Sequence, residues 1–168
     1  GAQGGALLDC GIYCASWVED LLPGAFTASD RKRVEYRGVD AYSYADLAFF
    51  SPGNGKGAPA DLGGSGVPGA SPAATAALEC AFDRAKPRQA VLIGTKGRIV
   101  VDDLHRPQRM TLEVPGREPQ LIERPYVVDD FYGEIAHFND LIERGARESP
   151  IMPLAASIRC AEILDAVR

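Results

Sequence analysis

The fold of this chain is decided by the stretch GGALLDCGIYCASW, residues 4–17. Wound as an α-helix at about 100° per residue, it places apolar side chains on one broad face and polar ones in a narrow sector. We therefore predict a helix over about 6–22 that packs against a large body of the protein. Its polar sector holds Asp9, Tyr13, Ser16 and Asp20. Asp9 and Tyr13 lie one turn apart, close enough to act on one small molecule.

Beyond the stop signal Pro23-Gly24 the pattern changes to the alternation of short strands. We predict strands at 26–36, 41–50, 73–82, 89–93, 98–101, 110–114 and 120–123. Helical spacing returns at 131–142, after Asp129 and Asp130 as capping acids and before Gly145, and again at 153–167. This order predicts an α+β fold with an open-faced, mainly antiparallel β-sheet, helices packed on one face and no Rossmann domain.

Two glycine-containing segments are interpreted as connections. Residues 51–72 are so rich in Gly and Pro that they predict a flexible insertion, with a mobile lid as the alternative. The segment Gly94-Thr95-Lys96-Gly97 is interpreted as a tight turn between strands. A phosphate-binding loop is the less favoured interpretation, because the segment lacks the P-loop length and is followed by a strand.

Composition narrows the classes of function. The 168 residues carry a net charge of −5, and the sequence shows no basic patch of the kind that binds nucleic acid. Apolar runs are too short for a membrane span. Four cysteines without a CxxC spacing predict free thiols in a reducing, cytoplasmic location. The length makes a single domain over 1–168 the default expectation.

Three segments carry a resemblance to a known family. They are GGALLDCGIY, IGTKGRIVVDD and the closing YGEIAHFNDLIERGARESPIMPLAASIRCAEILDA. Together they resemble the C-terminal domain of the glucose–fructose oxidoreductase/inositol dehydrogenase/MocA-like (Gfo/Idh/MocA) family. Tyr13 followed by Cys14 is most similar to the branch of the dimeric dihydrodiol dehydrogenases and D-xylose dehydrogenases.

The resemblance implies a site and a reaction. In such an NAD(P)-dependent oxidoreductase, Asp9 and Tyr13 would line the pocket for a sugar or cyclic diol beside the nicotinamide. Tyr13 and Asp9 are the implied catalytic residues, with Asp9 also binding substrate. Trp17 either stacks on a ring-shaped substrate or covers the flank of the helix. A phenol needs a lowered pKa to act as a base at neutral pH, which a neighbouring cation would supply.

The resemblance also implies homo-oligomers paired through the open face of the sheet. Aromatic side chains in the predicted strands are consistent with such pairing, namely Tyr36, Tyr42, Tyr44 and Phe49.

Two features of a complete enzyme are missing from the sequence. No G-x-G-x-x-G follows a strand to open a helix, and Lys86-Pro87 is preceded by Ala85, so it does not match the family's Glu-Lys-Pro motif. We therefore expect a C-terminal substrate-binding and dimerisation domain without its N-terminal nucleotide-binding domain, inactive alone and binding no cofactor. The alternative is a stand-alone, non-enzymatic module for self-association or binding. In that case Asp9 is a first-turn acid and Tyr13 a half-buried interface residue.

Other polar residues are weaker candidates. Asp102, Asp103 and His105 are spaced closely enough to suggest a metal, but a solvated loop is the favoured interpretation, so no metal site is predicted. His137 is a lone imidazole on a predicted helix and is interpreted as a packed or surface residue.

Overall fold

The computed structural model describes residues 4–50 and 71–168. The predicted insertion at 51–72 lies outside the described residues, except for its last two positions. Contacts divide the chain into two compact units. The first combines Gly1–Lys86 with Leu154–Arg168, and the second is Pro87–Pro153.

The first unit contains three helices and a three-stranded sheet. Its elements are α1 (Ala6–Asp9), α2 (Gly11–Leu21), β1 (Ala25–Tyr36), β2 (Val39–Phe50), β3 (Ala74–Ala81) and α4 (Leu154–Val167). The strands lie in the order β1-β2-β3 and all pair antiparallel. The three helices contact the sheet, and α2 also packs on α4. The predicted helices packed on a sheet are confirmed here.

The second unit is a four-stranded sheet followed by a helix. Its elements are β4 (Ala90–Gly94), β5 (Gly97–Val101), β6 (Arg109–Glu113), β7 (Gln120–Glu123) and α3 (Tyr132–Glu143). The strands form an antiparallel meander in chain order. Over the described residues the α+β class, without a Rossmann-like parallel sheet, is confirmed, with the strands divided between two sheets.

Two of the local signals predicted in the second unit are confirmed. Gly94 pairs with Gly97 across a tight turn that joins β4 to β5, so this segment is a hairpin turn as predicted. At Gly97, a Cβ would stand 2.3 Å from the carbonyl oxygen of Glu113, which explains the glycine. Asp129 accepts hydrogen bonds from the amides of Phe131 and Tyr132 and so caps the start of α3.

The core of the first unit lies between the helices and one face of its sheet. The largest fully buried side chains are Phe49, Leu47, Leu78, Ile163 and Cys160. Phe49 is 1% exposed and stacks on Phe26 with ring centroids 5.6 Å apart. The sequence-based grouping of Phe49 with aromatics available for pairing of subunits is therefore wrong. Successive side chains of a strand point to opposite faces, and Phe49 points to the helices.

The first helix differs from its prediction. We expected one helix over about 6–22, but Cys10 separates α1 from α2. The amide of Tyr13 donates to the carbonyl of Cys10, three residues back, at 3.3 Å. A hydrogen bond that spans three residues forms a tighter turn than the four-residue bonds of an α-helix, so the regular helix is interrupted here. Asp9 thus ends one helix and Tyr13 lies in the first turn of the next, so a single helical wheel does not describe their relation.

Among residues 4–50 and 71–168, no helix is long and apolar enough to cross a membrane.

Candidate functional site

The predicted site residues lie at the outer edge of the α1–α2 segment. Asp9 is exposed, Tyr13 is 47% exposed and Trp17 is half-buried. Tyr13 and Trp17 are four residues apart within α2 and therefore share one face of that helix. Asp9 accepts a weak hydrogen bond from the thiol of Cys10 at 3.7 Å. A carboxylate, a phenol and an indole are thus all accessible from solvent along this edge.

The opposite side of the segment is packed tightly. Ala15 is fully buried, and a Cβ on Gly11 would stand 2.9 Å from Leu7 Cδ1 and 3.3 Å from Cys80 Sγ. Gly11 therefore allows α2 to approach β3 closely. Because this side is fixed in the core, the exposed side is held on a rigid support.

We predicted Ser16 in the polar sector of the helix, but its hydroxyl makes its contacts within the protein. Its hydroxyl donates to the carbonyl of Ile12 at 2.9 Å and lies 3.8 Å from Cys160 Sγ on α4. A serine inside a helix satisfies its hydroxyl in this way by bonding one turn back. Ser16 therefore takes part in helix packing.

Sequence reasoning missed Asp40, a buried carboxylate below the site. Asp40 is 6% exposed, and its Oδ2 accepts hydrogen bonds from the amide of Leu7 at 2.6 Å and the hydroxyl of Ser43 at 3.3 Å. A signal was available: Gly5 precedes α1 and has no side chain to cap it. A helix start without a local cap needs an acceptor from elsewhere in the fold.

The four cysteines are free thiols, as predicted. Burial raises the pKa of Cys14 to about 11 and that of Cys80 to about 12. Burial also raises the pKa of Cys10 and Cys160. All four are therefore protonated at neutral pH, which makes them poor nucleophiles.

The open face of the three-stranded sheet, on the side away from the helices, carries tyrosines and charges. Tyr42 donates its hydroxyl to Glu79 at 2.8 Å, and Lys86 pairs with the same carboxylate at 2.6 Å. The hydrogen bond from Lys86 lowers the pKa of Glu79. Tyr44 donates to Asp46 at 2.6 Å, and this bond raises the pKa of Tyr44 to about 12. Both phenols are thus held protonated on this face.

The weaker acidic candidates are engaged with basic side chains. A surface cleft of about 460 Å³ is lined by Asp102, Asp103, Arg106, Gln108, Arg109, Glu123 and Pro125. Arg109 lies 3.3 Å from Asp102, and His105 lies 3.2 Å from Asp103. In the part of the chain that the structure describes, no group of His, Cys, Asp or Glu is placed to hold a metal ion.

His137 has a hydrogen-bonding partner. Its Nε2 lies 2.8 Å from the hydroxyl oxygen of Ser149, which also accepts the amides of Ile151 and Met152. With two amides occupying its acceptor sites, the Ser149 hydroxyl is left to donate to His137. The pair connects α3 to the following loop, which agrees with the interpretation of His137 as a packed residue.

The described residues do not fit a dinucleotide. Within 4–50 and 71–168 every pair of named strands is antiparallel, so no β-α-β unit offers a helix start to a pyrophosphate. The Gly94–Gly97 turn leads directly into β5 rather than into a helix.

Comparison with known proteins identifies a relative. No family model matches the chain. Over 98% of its length the chain is 28% identical to mouse trans-1,2-dihydrobenzene-1,2-diol dehydrogenase, of which it covers 45%, in the C-terminal part. The predicted resemblance, including its dihydrodiol dehydrogenase branch, is confirmed by this relationship.

Solved structures show the same fold. One is a protein of Bacteroides fragilis that is described as an oxidoreductase. Its structure matches this chain with a TM-score of 0.55 and 16% identity, over 99% of this chain and 51% of that protein. The yvaA protein of Bacillus subtilis, also assigned as an oxidoreductase, matches with a TM-score of 0.60 and 15% identity over 99% of this chain and 49% of that protein. This chain spans about half the length of each of these three proteins.

Proposed function

From this relationship to a dihydrodiol dehydrogenase, we propose that the chain is the substrate-binding part of an NAD(P)-dependent oxidoreductase acting on a cyclic diol or a sugar. The observation that carries the proposal is the alignment of nearly the whole chain with the C-terminal part of the mouse enzyme. That enzyme's name specifies a cyclic diol as its substrate. The exposed edge formed by Asp9, Tyr13 and Trp17 supplies groups suited to such a molecule.

Each of the three side chains has a role in this proposal. The Tyr13 hydroxyl exchanges a proton with the substrate hydroxyl that is oxidised, as a general acid–base group. The Asp9 carboxylate accepts a hydrogen bond from a neighbouring hydroxyl and fixes the orientation of the diol. The Trp17 indole offers an apolar face to the carbon ring of the substrate. These residues form one wall of the pocket.

The other wall and the NAD(P) site belong, in this proposal, to a nucleotide-binding part joined to the chain. Two observations support this division: the chain covers 45% of the mouse enzyme, and its described residues do not fit a dinucleotide. We therefore expect the 168-residue chain alone to bind no NADPH and to have no dehydrogenase activity. Binding of NADPH at micromolar concentrations to this chain would contradict the division.

The role of Tyr13 is tested in the protein that contains both parts. We expect Tyr13→Phe to lower kcat by about 10²–10⁴-fold, the usual contribution of general acid–base catalysis, with the fold intact. The matched control is Tyr36→Phe, which removes a hydroxyl from a tyrosine that is 61% exposed on β1. Steady-state kinetics with a cyclic diol measure both variants. Full turnover by Tyr13→Phe would exclude the catalytic role.

We also propose that the open face of β1, β2 and β3 pairs two copies of the protein. Ala77 is exposed there on the edge strand β3, opposite Asp46 of the central strand β2. The face carries Lys32 and Lys86 together with Asp46 and Glu79, so charges of both signs are available to a second copy. The free thiols favour a cytoplasmic location for this assembly.

A further inference from the structure

We propose that Asp40 is a positioning residue for the substrate wall. Its buried carboxylate fixes the start of α1 and thereby the placement of Asp9 and Tyr13. The inference rests on the proposed function in one respect: the consequence for turnover requires that Asp9 and Tyr13 contact the substrate. The structural part, that Asp40 orders this segment, stands on the contacts of Asp40 alone.

A β-bulge directs Asp40 into the protein. In the β1–β2 ladder Tyr42 pairs with Val34 but Asp40 pairs with Glu35, which leaves Ala41 as an extra residue. Without the bulge, Asp40 would share the open face with Tyr42, because side chains on one face of a strand recur every two residues. The extra residue shifts this alternation, so Asp40 lies on the helix side with Ser43.

The carboxylate replaces the missing cap of α1. Gly5 is the residue that precedes the helix, and it makes no side-chain capping bond. The amide of Leu7 donates instead to Asp40 Oδ2 at 2.6 Å, across 33 positions of sequence. The bond is short, and the burial of Asp40 removes competition from water.

The carboxylate is held in place from two further directions. Ser43 donates its hydroxyl to the same oxygen at 3.3 Å. The backbone of Gly5 forms a bridge with Asp40, and a Cβ on Gly5 would stand only 2.2 Å from Asp40 Oδ1. The glycine is therefore required for this approach, and the carboxylate has no room to shift toward it.

A short series of backbone hydrogen bonds connects this anchor to the site. The amide of Asp9 donates to Gly5 at 3.1 Å, that of Cys10 donates to Ala6 at 2.9 Å, and that of Tyr13 donates to Cys10 at 3.3 Å. α1 has only four residues, so Leu7 is two positions from Asp9. A displacement of the Leu7 amide is therefore transmitted to both polar side chains.

The structural part is tested in the 168-residue chain by amide hydrogen exchange. We expect Asp40→Ala to speed exchange at Leu7, Asp9 and Cys10 by about tenfold or more while leaving the amide of Ile163 in α4 unchanged, because the opening is local. Asp40→Asn keeps a carbonyl acceptor for Leu7, so we expect a smaller increase. Asp40→Asn is measured in place of Asp40→Ala if the alanine variant does not fold. An equal increase in α4, or no increase at Leu7, would overturn the inference.

The functional part is tested in the protein that contains both parts. We expect Asp40→Asn to lower kcat by about tenfold with little change in KM, because misplaced reacting groups lose rate steeply. The control is Ile163→Val, a core substitution in α4 that lowers stability and keeps the Asp40 carboxylate; it should keep kcat. If Asp40→Asn keeps full kcat while Tyr13→Phe does not, the positioning role is wrong. If Tyr13→Phe also keeps full turnover, the proposed function is wrong, and the exchange result decides the inference.

Discussion

At the residue scale, Gly5 and Gly4 illustrate two different reasons why a position requires glycine. Both have positive φ, +118° for Gly5 and +136° for Gly4, a conformation that strains other residues. Only Gly5 also faces a neighbour, since a Cβ there would collide with Asp40, whereas a Cβ on Gly4 would meet nothing within 4 Å.

This contrast predicts a difference in stability between two alanine variants. We expect Gly4→Ala to lower the free energy of unfolding by about 1–2 kcal/mol through backbone strain. Gly5→Ala should cost about 2 kcal/mol more, because Asp40 must move and leave the Leu7 amide without its acceptor. Urea denaturation of both variants measures the difference. Equal losses would show that the contact with Asp40 contributes nothing.

Neither reason is visible in the sequence alone. The stretch GGALLDCGIY identified the helix and its exposed acid and phenol, because these depend on residues within one or two turns. The partner of Leu7 lies 33 positions away and reaches it only through a bulge in β2. Alternation extended back from β2 would place Asp40 on the face of Tyr42, so the uncapped helix start at Gly5 indicates that an acceptor is needed but not which residue supplies it.

At the scale of elements, an irregular part of β1 supplies a side chain that binds the C-terminal end of α4. The register shifts between Ser29 and Lys32, and Asp30 takes a positive φ of 45°. Arg31 leaves the ladder there and donates its Nε to the carbonyl of Ala166 at 2.5 Å. The last carbonyls of a helix lack partners within it, and a cation is favourable beside them.

We expect Arg31→Gln to lower the free energy of unfolding by about 0.5–1 kcal/mol and to increase fraying of the last turn of α4. Hydrogen exchange at Arg168, whose amide bonds to Leu164, reports that turn. Arg33→Gln is the control, because Arg33 pairs with Glu35 of the same exposed strand. Unchanged exchange in Arg31→Gln would show that the guanidinium does not stabilise the helix end.

The elements themselves were well predicted, and their assembly less so. The strand predicted at 41–50 is β2, Val39–Phe50, and the helix predicted at 131–142 is α3, Tyr132–Glu143. Alternation and helical spacing are local properties of the chain, which is why they locate elements. The division of the strands into two sheets, and the interruption at Cys10, depend on contacts between distant segments or on one backbone bond, which spacing does not encode.

At the scale of the whole molecule, a measurement of the oligomeric state tests the proposed pairing through the open sheet face. We expect the chain to be a dimer in light scattering and Ala77→Arg to be a monomer, because the long charged side chain holds two flat sheets apart. Ala161→Arg is the matched control, since it makes the same change at an exposed position of α4, among the helices. A monomeric wild-type chain, or a dimeric Ala77→Arg variant, would contradict the pairing.

Trp17 has a practical consequence for all of these experiments. It is the single tryptophan of the chain, it is half-buried, and it lies one turn from Tyr13 on the same helix. Indole emission shifts in wavelength with the polarity of its surroundings, so the protein carries its own optical reporter beside the proposed substrate wall. Arrival of a diol there, or docking of a nucleotide-binding part, can be followed in a fluorimeter without attaching a dye.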